Sequence, residues 1–509
     1  MDTEGATKRR PAMLFGHDAD RLVSRLNRYL DSTGFMVLFL SGLTILYLLA
    51  YLGHPVLPGN DLSAPIGWWG WWDQGQYLKC AAALSHGQLT PETYWYPLGY
   101  PLTGALFYRW APQHAFLIPN LVCVLGSTVL LYKISRRLVT PVETILLLLV
   151  FIGSYFALLR IATVEPWNTI PTLFLSYLII FLVAFCQPSV KRLLAAFTCV
   201  GLIFLCRPGD APCMLAVPAI AILQLPRWKT RMIVAATGVG LIGTFILAVM
   251  LVNHAVFGSW RTPYDRMQEE MGVGSYSVAA KVFGLLIDGN TLFREPEAGL
   301  VRHFPWAILV LPGIVYLLFR YKTQVLGVIL SVLATYGLYF LYDDFWPSTV
   351  YRYHGIHYLV WTIPFMLLAT YFSLKEAWKF KIGRWSYLSV PLLLFLVFFV
   401  HLRERTIGSL PTTLPVVIGG QVGAEPVDWI FFEGSYTCPD LVAAGRQLVR
   451  KGDFEDSLRP DGTIVLLSTK LRHSPVEVDP RALSELGQIK YGNLHWTIRW
   501  KRPKETTDR

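Results

Sequence analysis

The chain has 509 residues, of which 53% are apolar and only 16% charged, with a mean hydropathy of +0.43. A soluble domain carries roughly 25% charged residues, so a water-soluble globule is excluded, and the abundant aromatics and 7 cysteines exclude disorder and a disulfide scaffold. Nearly all of the +11 net charge lies in the apolar part: residues 1–402 hold 30 Lys and Arg against 20 Asp and Glu, whereas residues 403–509 hold 15 against 14, which is a membrane signature rather than a nucleic-acid one.

In chain order, residues 1–34 form a polar cytoplasmic segment. Leu14, Phe15, Leu22, Leu26 and Leu30 recur there near helical spacing beside Arg21, Arg25 and Arg28, the pattern of a helix lying on the membrane surface. A bilayer core of about 30 Å needs about 20 apolar helical residues per crossing. Residues 35–402 contain about eleven such segments: 35–53, 114–134, 142–159, 168–186, 192–206, 212–225, 232–252, 304–319, 324–341, 356–374 and 386–402. The first lacks a small-residue cleavage pattern and reads as a retained anchor.

Numbering alternate sides from the N-terminus, 20 Lys and Arg fall on its side and 10 on the other, so the N-terminus is expected in the cytoplasm and the C-terminus outside. Residues 403–509 read as a small α/β extracytoplasmic domain, with a strand-like run Thr463-Ile-Val-Leu-Leu-Ser468 and a helical pattern over 439–451. The expected fold is therefore an all-α polytopic membrane domain followed by that tail. Cys80 and Cys438 lie outside the spans, where a bond between them is an option.

Charge is costly inside a bilayer, and few charges sit mid-span. They collect in the outer loops instead: Asp73, Glu92, Arg160, Glu165, Arg207, Asp210, Asp265, Arg294, Asp343, Asp344, Arg352 and His354. Carboxylates and guanidiniums thus share one side of the membrane, a setting for chemistry on an anionic lipid.

The most distinctive stretch is Trp71-Trp72-Asp73-Gln74-Gly75-Gln76-Tyr77, followed by Tyr94-Trp95-Tyr96-Pro97-Leu98-Gly99-Tyr100-Pro101. It resembles the GT-C superfamily of membrane glycosyltransferases, polytopic enzymes related to the polyprenyl-phosphate-sugar mannosyl- and aminoarabinosyltransferases. Arg207-Pro208, the Asn253 to Tyr264 loop with Phe257-Gly258-Ser259, Phe304-Pro305-Trp306 ahead of Pro312-Gly313, and Phe345-Trp346-Pro347 before Tyr351-Arg352-Tyr353-His354 resemble further motifs of that family in the same order. The likeness covers about residues 35–375. Where the family often has two adjacent acids, Gln74 follows Asp73, and residues 403–509 match no family pattern.

The resemblance implies a glycosyltransferase, probing no nucleic acid, that takes a polyprenyl-phosphate-linked sugar donor to an acceptor hydroxyl on a glycan, lipid or protein. The setting would be the extracytoplasmic face of a bacterial inner membrane. Asp73 is the candidate base, and Glu165 a candidate to orient it or the acceptor. Arg207 and Arg352, supported by Arg160 and His354, are candidates for the donor phosphate, because a guanidinium fork matches phosphate oxygens and stays charged. Tyr77, Tyr100 and Tyr264 are candidates to contact substrate. Plainer roles compete: Asp73 as a helix N-cap, Glu165 as a structural acid before Pro166, and Arg207 as an interfacial anchor. No cofactor is assigned, and a divalent metal at Asp343 and Asp344 is an option beside simple solvation. The functional alternative is a secondary transporter or lipid flippase, which usually places charge near the midplane and shows paired repeats; neither is evident here.

Overall fold

The computed structural model describes residues 24–52, 72–164, 166–266, 278–287, 301, 305–341, 358–382 and 394, and five strands between 416 and 501. Its longer helices are α1 (Thr33–Leu52), α2 (Trp72–His86), α3 (Gly99–Tyr108), α4 (Leu117–Ser135), α5 (Pro141–Val164), α6 (Thr169–Val183), α7 (Val190–Cys206), α8 (Asp210–Ile222), α9 (Trp228–Phe257), α10 (Val310–Tyr321), α11 (Thr323–Leu341) and α12 (Ile363–Ile382). A helix occupies each expected apolar segment as far as 356–374. The segment 386–402 lies outside the described residues apart from Leu394.

Among the described residues, Thr33–Leu52, Pro112–Ser135, Trp228–Phe257 and Thr323–Leu341 are long and apolar enough to cross a bilayer. Helices α1 and α9 keep only 11% of their apolar windows inside the protein. Val37, Leu38, Ile45 and Leu49 of α1 and Ile233, Val239 and Leu247 of α9 are all more than half exposed. Such continuous apolar surface is stable against lipid tails and not against water. The chain is an integral membrane protein.

The core lies between α4, α5, α6, α7, α8 and α12, with α7 packed on α6 and α9, α8 on α11, and α10 on α12. Helix α5 begins with a capping box: Thr140 N donates to Glu143 Oε2 at 2.7 Å, and Glu143 N faces Thr140 Oγ1 at 3.4 Å. The other oxygen of Glu143, which is fully buried, accepts from Lys375 Nζ at 2.9 Å and from the Tyr371 hydroxyl, joining α5 to α12.

Between the first two spans the sequence suggested an outer loop with a helix starting near Gln74; the structure contains that helix as α2, starting at Trp72, and adds α3. Helix α2 buries Tyr77, Leu78, Cys80 and Ala81 on one side, a stripe too short and too mixed to register as a span. Cys80 is a free thiol with no exposed surface, and burial pushes its pKa up to about 12, so it is not poised as a nucleophile; Cys438 lies outside the described residues. Helix α3 starts at Gly99 because only a residue without Cβ fits there: a β-carbon would lie 2.7 Å from both Cys206 Sγ and the Leu205 carbonyl carbon at the end of α7. Gly99→Ala is therefore expected to overpack this contact and destabilise the protein by about 1–3 kcal/mol. Thermal unfolding in detergent checks this; an unchanged midpoint would show that α3 does not bear on α7.

The strands β1 (Val416–Val422), β2 (Glu425–Glu433), β3 (Thr463–Leu466), β4 (Leu483–Tyr491) and β5 (Leu494–Lys501) form an antiparallel sheet in the order β3-β1-β2-β5-β4. Irregularities between Ile418 and Gly420 and between Glu485 and Gly487 interrupt its ladders. The expected helix over 439–451 lies outside the described residues.

Candidate functional site

Side-chain contacts mark out two ends of the helical bundle. At one, Tyr47 of α1 donates to the Thr163 carbonyl at 3.1 Å, Tyr100 to Asn120 Oδ1 at 3.0 Å, Asn168 Nδ2 to the Cys206 carbonyl at 3.2 Å, and Tyr94 to Asn253 Oδ1 at 2.6 Å. At the other, Tyr132, Arg136 and Arg137 bind Leu30, Asp31 and Ala184, while Lys375 binds Glu143. The first end is aromatic and amide-rich; the second is rich in Lys and Arg.

The centre of the aromatic end is Arg207. Proline disfavours helical backbone in the residue before it, and Arg207, ahead of Pro208, takes φ −150° and ψ 91°, which ends α7. After Gly209 the chain enters α8 at Asp210, whose carboxylate sits in the first turn, where the free N–H groups favour negative charge. The tight turn brings the two side chains together, Arg207 Nε lying 3.4 Å from Asp210 Oδ2. From α11, the Tyr339 hydroxyl accepts from Arg207 Nη2 at 2.7 Å and donates to Asp210 Oδ1. The guanidinium also lies 4.2 Å from the ring centre of Tyr358 and 5.5 Å from that of Tyr339.

Arg207 is 8% exposed and Asp210 4%. Burial alone would lower the pKa of Arg207, but Asp210 and the tyrosines more than offset this, so the guanidinium stays charged. One of its groups has no partner among the described residues: Nη1 is buried and makes no hydrogen bond with them. A buried charged donor left unpaired is costly, and this one is suited to an anion arriving from outside.

Around this cradle runs a chain of aromatic contacts. Tyr264 lies within electrostatic reach of Arg207 and packs on Tyr96 at 5.0 Å between ring centres; Tyr96 packs on Tyr77 at 4.8 Å, and Tyr77 on Tyr100 at 5.1 Å. Tyr264 is held by a second capping box, in which Asp265 Oδ2 accepts from Thr262 N and Oγ1, both at 2.8 Å. The preceding loop turns at Gly258, whose φ of 62° suits glycine. That turn lets Asn253 Nδ2 reach the Trp260 carbonyl at 3.2 Å while its oxygen holds Tyr94. A narrow apolar crevice of about 80 Å³ lies between α1, α4, α5 and α6, with Thr163 and Val164 in its lining, close in sequence to Asn168, which grips Cys206 beside Arg207.

Of the residues singled out from sequence, Arg207 and Tyr264 are brought together. Tyr77 and Tyr100 are buried at 2% and 0% exposure, and form the packed wall behind Tyr96 and Tyr264. Asp73 is the second residue of α2, inside its first turn rather than ahead of it as an N-cap would be, and its side chain lies outside the described residues, as does that of Arg160 in α5. Glu165, Arg352, His354, Asp343 and Asp344 also lie outside them. Among the described residues, no three His, Cys, Asp or Glu side chains come together as metal ligands would. Asp265, one of the acids counted with the outer loops, serves as a capping carboxylate.

Sequence reasoning missed Asp210 as the partner of Arg207, although the i,i+3 spacing across the Arg-Pro turn was a signal for it. Tyr339 and Tyr358 carry no such signal, since both sit in or beside apolar runs. Gln74, next to Asp73, is fully buried, and among the described residues neither its amide oxygen nor its amide nitrogen has a hydrogen-bond partner.

No family model and no curated protein matches the chain. Among solved structures, the chain is similar to the crystal structure of ArnT from Cupriavidus metallidurans bound to undecaprenyl phosphate, with 10% sequence identity and a TM-score of 0.47 over 74% of this chain and 73% of that one.

Proposed function

We propose that this protein is a membrane glycosyltransferase that moves a sugar from a polyprenyl-phosphate donor to an acceptor hydroxyl. The observation that carries the reading is the buried, charged Arg207 with its unpartnered Nη1, set at the aromatic end of a lipid-embedded bundle. It is the kind of donor a lipid phosphate needs.

In the reaction, the acceptor oxygen forms a bond to the anomeric carbon while the bond from that carbon to the phosphate oxygen breaks. The electron pair leaves with the phosphate, and the acceptor proton passes to Asp73. The transition state is oxocarbenium-like, as in glycoside hydrolysis, so a carboxylate near the carbon also offsets developing positive charge. The leaving phosphate is already a stable anion and needs cationic support more than a proton, which Arg207 supplies, with Arg352, Arg160 and His354 as further donors. Glu165 orients the acceptor or Asp73, Tyr264 lines the sugar pocket in front of Tyr77 and Tyr100, and Gln74 offers its free amide to a sugar hydroxyl. The narrow crevice lined in part by Thr163 takes the first isoprene units.

Because Lys and Arg crowd the opposite end of the bundle, the site faces the extracytoplasmic side, in a bacterial inner membrane, with residues 403–509 outside as well. Membranes containing the protein should move radiolabel from a polyprenyl-phosphate sugar into a lipid, glycan or protein acceptor. Label that stays on the donor across the common hexoses and pentoses would contradict the assignment.

A further inference from the structure

The Lys- and Arg-rich end of the bundle holds a second recess, which sugar transfer does not use. It is an open groove of about 520 Å³, lined by the helical segment 24–30 with Asp31, by the turn between α4 and α5, and by Lys375 of α12. Four cations line it, Arg28, Arg136, Arg137 and Lys375, against the two carboxylates of Asp31 and Glu143.

Both carboxylates are already engaged. Asp31 accepts from Arg136 at 3.3 and 3.4 Å and from the Tyr132 hydroxyl at 2.9 Å, contacts that hold its pKa below the usual range. Glu143 is held by Lys375, Tyr371 and Thr140. Arg136 is further fixed by a 2.6 Å bond from Nη1 to the Val139 carbonyl.

Arg137 is different. It is half-buried, donates Nη1 to the Ala184 carbonyl at 2.8 Å, and lays its guanidinium 4.5 Å over the centre of the Phe181 ring, yet has no carboxylate partner among the described residues. Burial pushes its pKa down, and the nearby Arg192 adds to the effect. Arg28, exposed on the same groove, makes no ion pair among the described residues. Two guanidiniums therefore border one recess with donor groups to spare and, among the described residues, no carboxylate paired to either.

The position of the groove indicates what neutralises them. The lipid-facing surface of α1 begins at Val37 and Leu38, 59% and 63% exposed, within about two helical turns of Asp31. The groove thus opens where the apolar belt ends, at the level of lipid headgroups, and basic recesses between helix ends at that level suit anionic headgroups. We propose that this groove binds the phosphate of an anionic membrane-lipid headgroup, with Arg137 and Arg28 supplying the donors. Free phosphate shares the recognising chemistry, and the test separates the two sources.

The full-length protein in neutral detergent is titrated with phosphatidylglycerol, with zwitterionic phosphatidylcholine and with inorganic phosphate, and its thermal midpoint is followed. Phosphatidylglycerol is expected to raise the midpoint saturably and phosphatidylcholine to leave it unchanged. In Arg28→Gln and Arg137→Gln the half-saturating phosphatidylglycerol concentration should rise about tenfold, the effect of losing one charge-assisted hydrogen bond. Dependence on Arg28 and Arg137, rather than on Arg207, separates this groove from the site at the other end. Arg28 is exposed and unpaired, so its variant folds even if Arg137→Gln does not. A saturable, Arg28-dependent response to inorganic phosphate without one to phosphatidylglycerol would overturn the lipid as occupant. The absence of any saturable response to phosphatidylglycerol, or one unchanged in both variants, would overturn the proposal.

Discussion

Arg207→Lys is expected to weaken binding of a polyprenyl monophosphate by about 10- to 100-fold while the protein stays folded. The reason lies in the shape of the guanidinium. Arg207 uses Nε toward Asp210, Nη2 toward Tyr339, and keeps Nη1 free. A lysine ammonium keeps the charge that compensates Asp210 but lacks the rigid fork, so it cannot hold both protein partners and also present a donor to the phosphate. A hydrogen bond to a charged group contributes about 1.5–3 kcal/mol, which sets the expected range. Arg207→Ala is a harsher change: it leaves the Asp210 carboxylate buried without its cation, which costs about 3–5 kcal/mol of stability. Comparing the two by donor titration and thermal unfolding separates binding from folding. Arg207→Lys with unchanged donor affinity would reduce Arg207 to a structural tie between α7, α8 and α11.

Asp73→Asn is expected to slow sugar transfer by about 10²- to 10⁴-fold, the usual contribution of a general base, with donor affinity and the unfolding midpoint little changed. The substitution preserves size and the ability to accept a hydrogen bond in the first turn of α2, and removes the capacity to take a proton. A residue that only favours the start of a helix would show the opposite pattern. Loss of its charge there would cost about 0.3–1 kcal/mol of stability through the helix dipole, and turnover per folded molecule would hold. Single-turnover measurements on purified protein distinguish these outcomes.

Much of the helical bundle was legible in the sequence because long apolar runs have few solutions in a bilayer, and α1, α4, α9 and α11 coincide with such runs. The start of α2 was legible at Asp73 and Gln74, but α3 was not, since it is short and depends on a tertiary contact, the approach of Gly99 to Leu205 and Cys206. Arg207 stood out because a charged residue before proline at the end of an apolar run is conspicuous. Its surroundings did not: Tyr339 is 132 positions away and reads locally as one more apolar residue of α11. Glu143 shows both sides of this. The Thr140-Pro-Val-Glu143 pattern announces a capping box, but the capture of its second oxygen by Tyr371 and Lys375 joins positions more than 200 apart. Asp265 looked like an available acid because its place in an expected outer loop was visible and its bond to Thr262 was not.

The most direct test is an experimental structure of the protein bound to a polyprenyl monophosphate. The phosphate should lie against Arg207, with an oxygen about 3 Å from Nη1, the Asp73 carboxylate should face the side of the phosphate where the sugar carbon would sit, and the prenyl chain should run toward the lipid. A phosphate bound elsewhere, with Nη1 of Arg207 still unpartnered, would contradict the assignment of this end of the bundle as the site of transfer.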